Sequence, residues 1–200
     1  MAKVPVPGKA KTRLIPALGA DRAAGLAAAM AADVFALAER AGLPWRIAVA
    51  GDPTHPWVSR LPAPWAPQVG GDLGDRLTDA LAGGGVAIGT DAPLLDPALL
   101  QAAAAAAEPV FLARAADGGY TLVGVTADAV ARGVFRDVQW STASTLSSQV
   151  ARARALGLGV TVVDGGYDVD DDVSLTRLRA DLARLPAAIA PHTRTFLASL

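Results

Sequence analysis

The chain has 200 residues, 52% hydrophobic and 18% charged, with a formal net charge of −1. Such a composition excludes intrinsic disorder and suits one globular domain, 1–200, with a full core. The near-zero charge excludes bulk attraction to nucleic acid, the lack of cysteine excludes disulfides, thiol catalysis and zinc–thiolate sites, and no run of about 18 strongly apolar residues reads as a membrane span.

Met1 to Val4 reads as the end of a strand, and the Pro5–Leu14 segment (PVPGKAKTRL) as an ordered loop built on two prolines and a glycine. That loop carries Lys9, Lys11 and Arg13, with Gly8 and Thr12 among them. A glycine-containing loop with fixed cations between a strand and a helix is either a solvated basic turn or a cradle for phosphates. The Walker A spacing is absent. No apolar segment follows the basic residues, so no signal peptide is read and the cytoplasm is the expected compartment.

A long helix is predicted over Ala20–Ala41, with Leu26, Met30, Phe35 and Leu37 on its apolar face and Gly42 as its stop. Pro44–Ala50 reads as a strand. The Gly51–Pro67 stretch reads as a loop rich in proline and tryptophan, with a short helix near Trp57. Gln68–Leu77 (QVGGDLGDRL) then takes a strand end through Gly70 and Gly71 into a helix from about Leu73 to Leu81, with Asp72 as its N-cap. The glycines serve either a tight turn or a close backbone approach to a ligand.

Val86–Asp96 (VAIGTDAPLLD) is the stretch around which the rest is organised. A buried strand running into a carboxylate at its C-terminal end is where open α/β sheets place their chemistry, so Asp91 is expected to hold a divalent metal, and the metal a nucleotide diphosphate. Asp96 is predicted to cap a helix over Pro97–Ala107. Strands are predicted at Val110–Ala113 and Tyr120–Val125, joined by Asp117-Gly118-Gly119. Read alone, that tripeptide is a hairpin turn.

Trp140 either belongs to the core or walls a pocket, and Ser141 or Thr142 caps the helix that runs to Leu156. The last strand is Gly159–Asp164. Asp168 and Asp170 follow, two apart, so in an extended segment they share a face and can enter one site. Alternatively the Asp168–Asp172 cluster caps the helix Val173–Leu185. The tail, Pro186–Leu200, is read as a short helix.

Strands alternating with helices predict a three-layer α/β/α fold with a mostly parallel, twisted sheet. Six motifs, KVPVPGKAKTRL, QVGGDLGDRL, IGTDAPLL, DGGYTLVGV, VQWSTASTL and YDVDDDVSL, stand in one order along the chain. In that order they resemble a bacterial family of small GT-A-like proteins in the nucleotide-diphospho-sugar transferase superfamily, commonly described as glycosyltransferases, some of arsenosugar biosynthesis. The same fold is used by nucleotidyltransferases.

The resemblance implies roles by position. Lys11, Thr12 and Arg13 would match the loop that grips nucleotide phosphates, joined there by Gly8 and Lys9 on the reading of the loop as a phosphate cradle, with Lys11, Arg13 and Asp91 as catalytic groups. Gln68, Gly70 and Gly71 would line the base and ribose. Asp117, Gly118, Gly119 and Tyr120 would face the acceptor or sugar, and Trp140, if it walls a pocket, would stand on the same side. Asp91 would hold Mg²⁺ or Mn²⁺, with at least one of the distal pair, Asp168 or Asp170, completing the metal site. The family's first strand is usually longer than the one here, so the first strand is read as truncated, with either a true start upstream of Met1 or a short stub that suffices.

The expected activity is metal-dependent transfer from a nucleotide-activated donor, with a nucleotide sugar and a small-molecule acceptor as partners. Nucleotidyl transfer from a nucleoside triphosphate, with release of pyrophosphate, is the nearest alternative. Non-catalytic nucleotide binding is an alternative of another class. A homodimer is compatible with the exposed tail and any bare sheet edge.

Overall fold

A computed structural model describes all 200 residues, Met1–Leu200. In chain order the elements are β1 (Ala2–Lys3), a 3₁₀ turn (Thr12–Leu14), α1 (Ile15–Leu18), α2 (Ala20–Arg40), β2 (Ile47–Ala50), a second 3₁₀ turn (Val58–Arg60), β3 (Trp65–Pro67), α3 (Leu73–Ala80), β4 (Gly85–Ile88) and α4 (Ala98–Ala104). Then come β5 (Val110–Arg114), β6 (Tyr120–Val125), α5 (Ala127–Ala131), α6 (Thr145–Ala155), β7 (Val160–Asp164), α7 (Asp172–Arg184) and α8 (Pro191–Ala198). No single helix is long and apolar enough to cross a membrane.

The elements pack as two compact units. One comprises Met1–Ala66, Thr90–Leu94 and Asp168–Leu200, and the other Pro67–Gly89 and Leu95–Tyr167.

In the first unit, β1 pairs in parallel with β2, Ala2 opposite Val49 and Lys3 opposite Ala50, and Val4 N–H extends the ladder to the Ala50 carbonyl at 2.9 Å. Although β1 is only two residues long, Ala2 and Val4 are buried with Ile47, Val49 and Val58, and Trp45 and Trp57 pack against this cluster. Period-2 alternation explains why Ala2 and Val4 enter the core while Lys3 stays exposed.

α2 buries Leu26, Met30, Val34 and Leu37 at helical spacing. Of the predicted apolar face, Phe35 departs. It is only partly buried and stacks at 6.1 Å from both Trp45 and Trp57. A second contact on α2 was not predicted. Asp33 is 3% exposed and accepts hydrogen bonds from the backbone N–H groups of His192 and Thr193 at the start of α8.

In the second unit the strand order is β4-β6-β5-β7. β6 runs antiparallel to both β4 and β5, while β5 and β7 are parallel. Thus β4, β5 and β7 share one direction and β6 alone is reversed. The reversal is imposed by the short Ala115–Gly119 connection, because a hairpin can join only antiparallel neighbours. Val110, Leu112, Leu122 and Val123 form the buried centre of this sheet. α5 is an element the sequence reading passed over. Its signal was Thr126, whose side chain caps the helix by accepting from Ala129 N–H.

Candidate active site

In the first unit, three of the predicted residues converge. The Lys11 ammonium lies 3.1 Å from Asp91 Oδ2 and 2.5 Å from Asp170 Oδ1. Its side chain is 7% exposed, whereas those of Asp91 and Asp170 are 43% and 44% exposed, so the cation is enclosed and the carboxylates open outward.

Local folding explains the convergence. Val6 accepts from both Lys9 N–H and Ala10 N–H, which curls the loop tightly around Gly8. Lys3 Nζ fastens the turn by donating to the Lys9 carbonyl at 2.8 Å. Lys11 then adopts a left-handed backbone conformation, φ 46 and ψ 48, unfavourable for a residue with a side chain. The Lys11 carbonyl opens the following turn by accepting from Leu14 N–H.

Asp91 lies beyond β4, which ends at Ile88 rather than running into the carboxylate. Its main-chain carbonyl accepts from Val169 N–H at 2.9 Å, tying the Asp91 segment to the extended segment ahead of α7. There Val169 is fully buried between the half-buried Asp168 and Asp170.

Burial opposes the charge on Lys11, but the fields and hydrogen bonds of Asp91 and Asp170 outweigh it and raise the pKa above the ordinary lysine value. The ammonium is therefore fixed as a cation. Asp171 does what the alternative reading of the acidic cluster required. Its carboxylate caps α7 in a reciprocal box with Ser174, whose N–H and hydroxyl hold it below the usual carboxylate range. The acidic run thus divides by function, Asp170 facing Lys11 and Asp171 capping the helix. Arg13 and Thr12 are exposed on the 3₁₀ turn, and Arg13 contributes to the field at Asp171.

Asp91, Asp168 and Asp170 do not form one cluster of three acidic side chains. At Asp91 and Asp170 the meeting point of the carboxylates is taken by the Lys11 ammonium. The pair nevertheless fits Mg²⁺ or Mn²⁺ chemistry. Such ions bind through one or two carboxylates plus substrate phosphates, and the pair already holds a positive charge.

The remaining predicted residues lie in the second unit. Gln68 is half-buried after β3, and Gly70 and Gly71 are exposed. Gly71, with φ 92, makes room for the Asp75 carboxylate, which returns to Asp72 N–H in the capping box of α3. A Cβ on Gly71 would stand 2.1 Å from Asp75 Oδ2. The tight turn thus accounts for Gly71.

The Asp117-Gly118-Gly119 turn does more than join strands. Asp117 Oδ1 accepts from Gly119 N–H, and the Gly118 carbonyl accepts from Leu146 N–H in α6. A Cβ on Gly118, at φ 91, would lie 2.2 Å from the Ala143 carbonyl oxygen, so the loop entering α6 rests directly on this glycine.

Tyr120 sits with its ring 6.4 Å from that of Trp140, edge to face at 74°. Its hydroxyl donates to Gln149 Oε1 at 3.3 Å, and burial pushes its pKa up. Gln149 was not singled out in the sequence. It is fully buried and spends its amide on the Val134 carbonyl at 2.8 Å. The available signal was spacing, because Thr145, Gln149 and Ala153 form a buried stripe four residues apart on α6.

None of the curated proteins compared matches the chain. A solved structure from Desulfovibrio desulfuricans G20, described as a "putative nucleotide-diphospho-sugar transferase", is 27% identical, with a TM-score of 0.84 over 98% of this chain and 93% of that one. The mixed α/β architecture is thus the nucleotide-diphospho-sugar transferase fold that the six motifs implied. Residues 23–142 match the model of the bacterial family DUF2064, described as "uncharacterized protein conserved in bacteria". That match takes in more than half of the sequence, and the chain belongs to this family.

Proposed function

We propose that the protein is a metal-dependent glycosyltransferase that uses a nucleotide sugar as donor. The observation carrying this reading is the enclosed Lys11 ammonium between two outward-opening carboxylates, Asp91 and Asp170. Its support from outside the chain is the fold shared with the Desulfovibrio protein.

Asp91 and Asp170 would hold Mg²⁺ or Mn²⁺, which supplies charge neutralisation to the departing diphosphate. Lys11 and Arg13 do the same from the protein side. Lys11 is a fixed cation beside the carboxylates, and Arg13, exposed on the next turn, is open to a phosphate oxygen. Preorganised charge of this kind acts where negative charge develops and costs no reorganisation during bond breaking. The bond broken is sugar C1 to phosphate oxygen. The acceptor oxygen forms the new bond to C1, the bond pair leaves with the nucleoside diphosphate, and the acceptor's proton passes to solvent or a base. No protein nucleophile is required.

The test is thermal unfolding against nucleotide sugars and nucleoside triphosphates, each with and without Mg²⁺ or Mn²⁺, followed by assay for nucleoside diphosphate release. A ligand at about 100 times its Kd adds roughly 2.7 kcal/mol of stability, a readable shift. A metal-dependent shift with a nucleotide sugar, with turnover, supports glycosyl transfer. A shift and pyrophosphate release only with a triphosphate would replace this reading with nucleotidyl transfer. No shift with any donor would remove it.

A further inference from the structure

We propose that Lys11 is a resident counter-cation that must be drawn off Asp91 and Asp170 before a divalent metal can use them, so that metal loading waits for the anionic donor. The inference rests on reading this site as the donor-phosphate and metal site.

Three observations carry it. First, the ammonium occupies the meeting point of the two carboxylates, at 3.1 and 2.5 Å, and is enclosed there. A divalent ion binds carboxylate oxygen at about 2.0–2.6 Å. Sharing the same pair would bring it within a few ångströms of a like charge in a partly dehydrated setting, where repulsion is poorly screened. Second, Lys11 does not dangle into this position. Its left-handed backbone and the turns on either side seat the ammonium on the carboxylates in the resting protein. Third, the carboxylates remain more than two-fifths exposed on their outer side, leaving an approach for an incoming group.

A diphosphate resolves the conflict. Its oxygens offer the ammonium a new anionic partner, and the released carboxylates, together with those oxygens, complete the coordination of the metal. Metal and donor then bind with positive coupling, each raising the affinity of the other by the same factor. In the metal-free protein Lys11 offsets one of the two negative charges of the pair.

The experiment is a Mn²⁺ titration followed by water-proton relaxation, which separates protein-bound Mn²⁺ from Mn²⁺ pyrophosphate free in solution. It is run on the full chain with and without inorganic pyrophosphate. The wild-type protein is expected to bind Mn²⁺ alone at least about tenfold more weakly than in the presence of pyrophosphate. Lys11→Met, with a side chain of similar length and no charge, is expected to bind Mn²⁺ alone about tenfold more tightly than wild type and to lose most of the coupling.

Equal wild-type affinity with and without pyrophosphate would overturn the exchange, as would a folded Lys11→Met protein no better than wild type at binding Mn²⁺ alone. In either case a protein-bound Mn²⁺ complex that Asp91→Asn abolishes leaves the metal-site reading standing. If no protein-bound Mn²⁺ forms under any condition, both readings fall. Should Lys11→Met not fold, as circular dichroism would reveal, the wild-type coupling alone decides.

Discussion

Asp33 offers the most sharply defined test of how this fold is held. It lies inside α2, 3% exposed, and its two carboxylate oxygens accept from His192 N–H at 3.0 Å and Thr193 N–H at 2.8 Å. α8 has no cap of its own, because its N-cap residue is Ala190 in a left-handed conformation with no side-chain hydrogen bond. The carboxylate of a different helix therefore does the work of an N-cap and also sits favourably at the positive end of the helix dipole. Hydrogen bonds to a charged group contribute about 1.5–3 kcal/mol each, and the desolvation of Asp33 in the folded state offsets part of the pair. Asp33→Ala removes both bonds and leaves two donors beneath an apolar side chain. The expected loss is ~3 kcal/mol in urea denaturation, accompanied by faster hydrogen exchange along α8. Asp33→Asn retains one acceptor oxygen and should lose about half as much. If Asp33→Ala unfolds within ~1 kcal/mol of wild type, the two bonds do not hold α8 and the argument fails.

Three further outcomes are expected. Asp91→Asn should change stability by ~1 kcal/mol or less, since Lys11 keeps Asp170 and Asp91 is half open to solvent, yet it should lower donor turnover by about a hundredfold or more; turnover within tenfold of wild type in a steady-state assay would exclude Asp91 from the chemistry. Gly118→Ala combines an unfavourable backbone conformation with a backbone collision at Ala143, and should cost ~2 kcal/mol or more by chemical denaturation, where a loss under ~1 kcal/mol would show that the α6 entry loop adapts freely. Asp171→Ala should cost ~1 kcal/mol near neutral pH through loss of the α7 cap. Because the folded-state pKa of Asp171 is depressed, its contribution is fully present above the ordinary aspartate value of 3.8 and is lost as pH falls through the lower folded value. Wild-type and Asp171→Ala stabilities should therefore converge below that window, and a constant difference down to the acid limit would contradict the cap assignment.

Much of the fold and part of the site were legible in the linear chain, because the signals were local. Helical periodicity marked α2 from Leu26, Met30 and Leu37, and the Tyr120–Val125 strand was bounded correctly by its apolar run and preceding glycines. Asp72 was readable as a helix-start residue because a side-chain cap acts within three residues, and its carboxylate accepts from Asp75 N–H as expected; Asp96 accepts from Ala98 N–H, but the N-cap of α4 is Pro97, without a side-chain cap bond. The order of the six motifs pointed to the fold, which the 0.84 structural match bears out.

What the tertiary structure decided is every relation between residues far apart in sequence. Lys11 and Asp170 are separated by 159 positions, and no local pattern says that their side chains meet at 2.5 Å. Asp33 and Thr193 are 160 apart, so a buried aspartate in an apolar helical stripe carried no visible reason until α8 supplied its donors. The same holds for Gly118, whose lack of a side chain looked like turn chemistry and serves equally to seat Ala143. Secondary structure answers to neighbours within a few residues, whereas charge pairing and packing depend on chain crossings that only the folded backbone specifies. The sequence therefore determined which residue types could bind phosphate and metal. The fold decided that a lysine stands between the two carboxylates, because loop closure brings Lys11, Asp91 and Asp170 to one point and the enclosed ammonium needs anionic partners there.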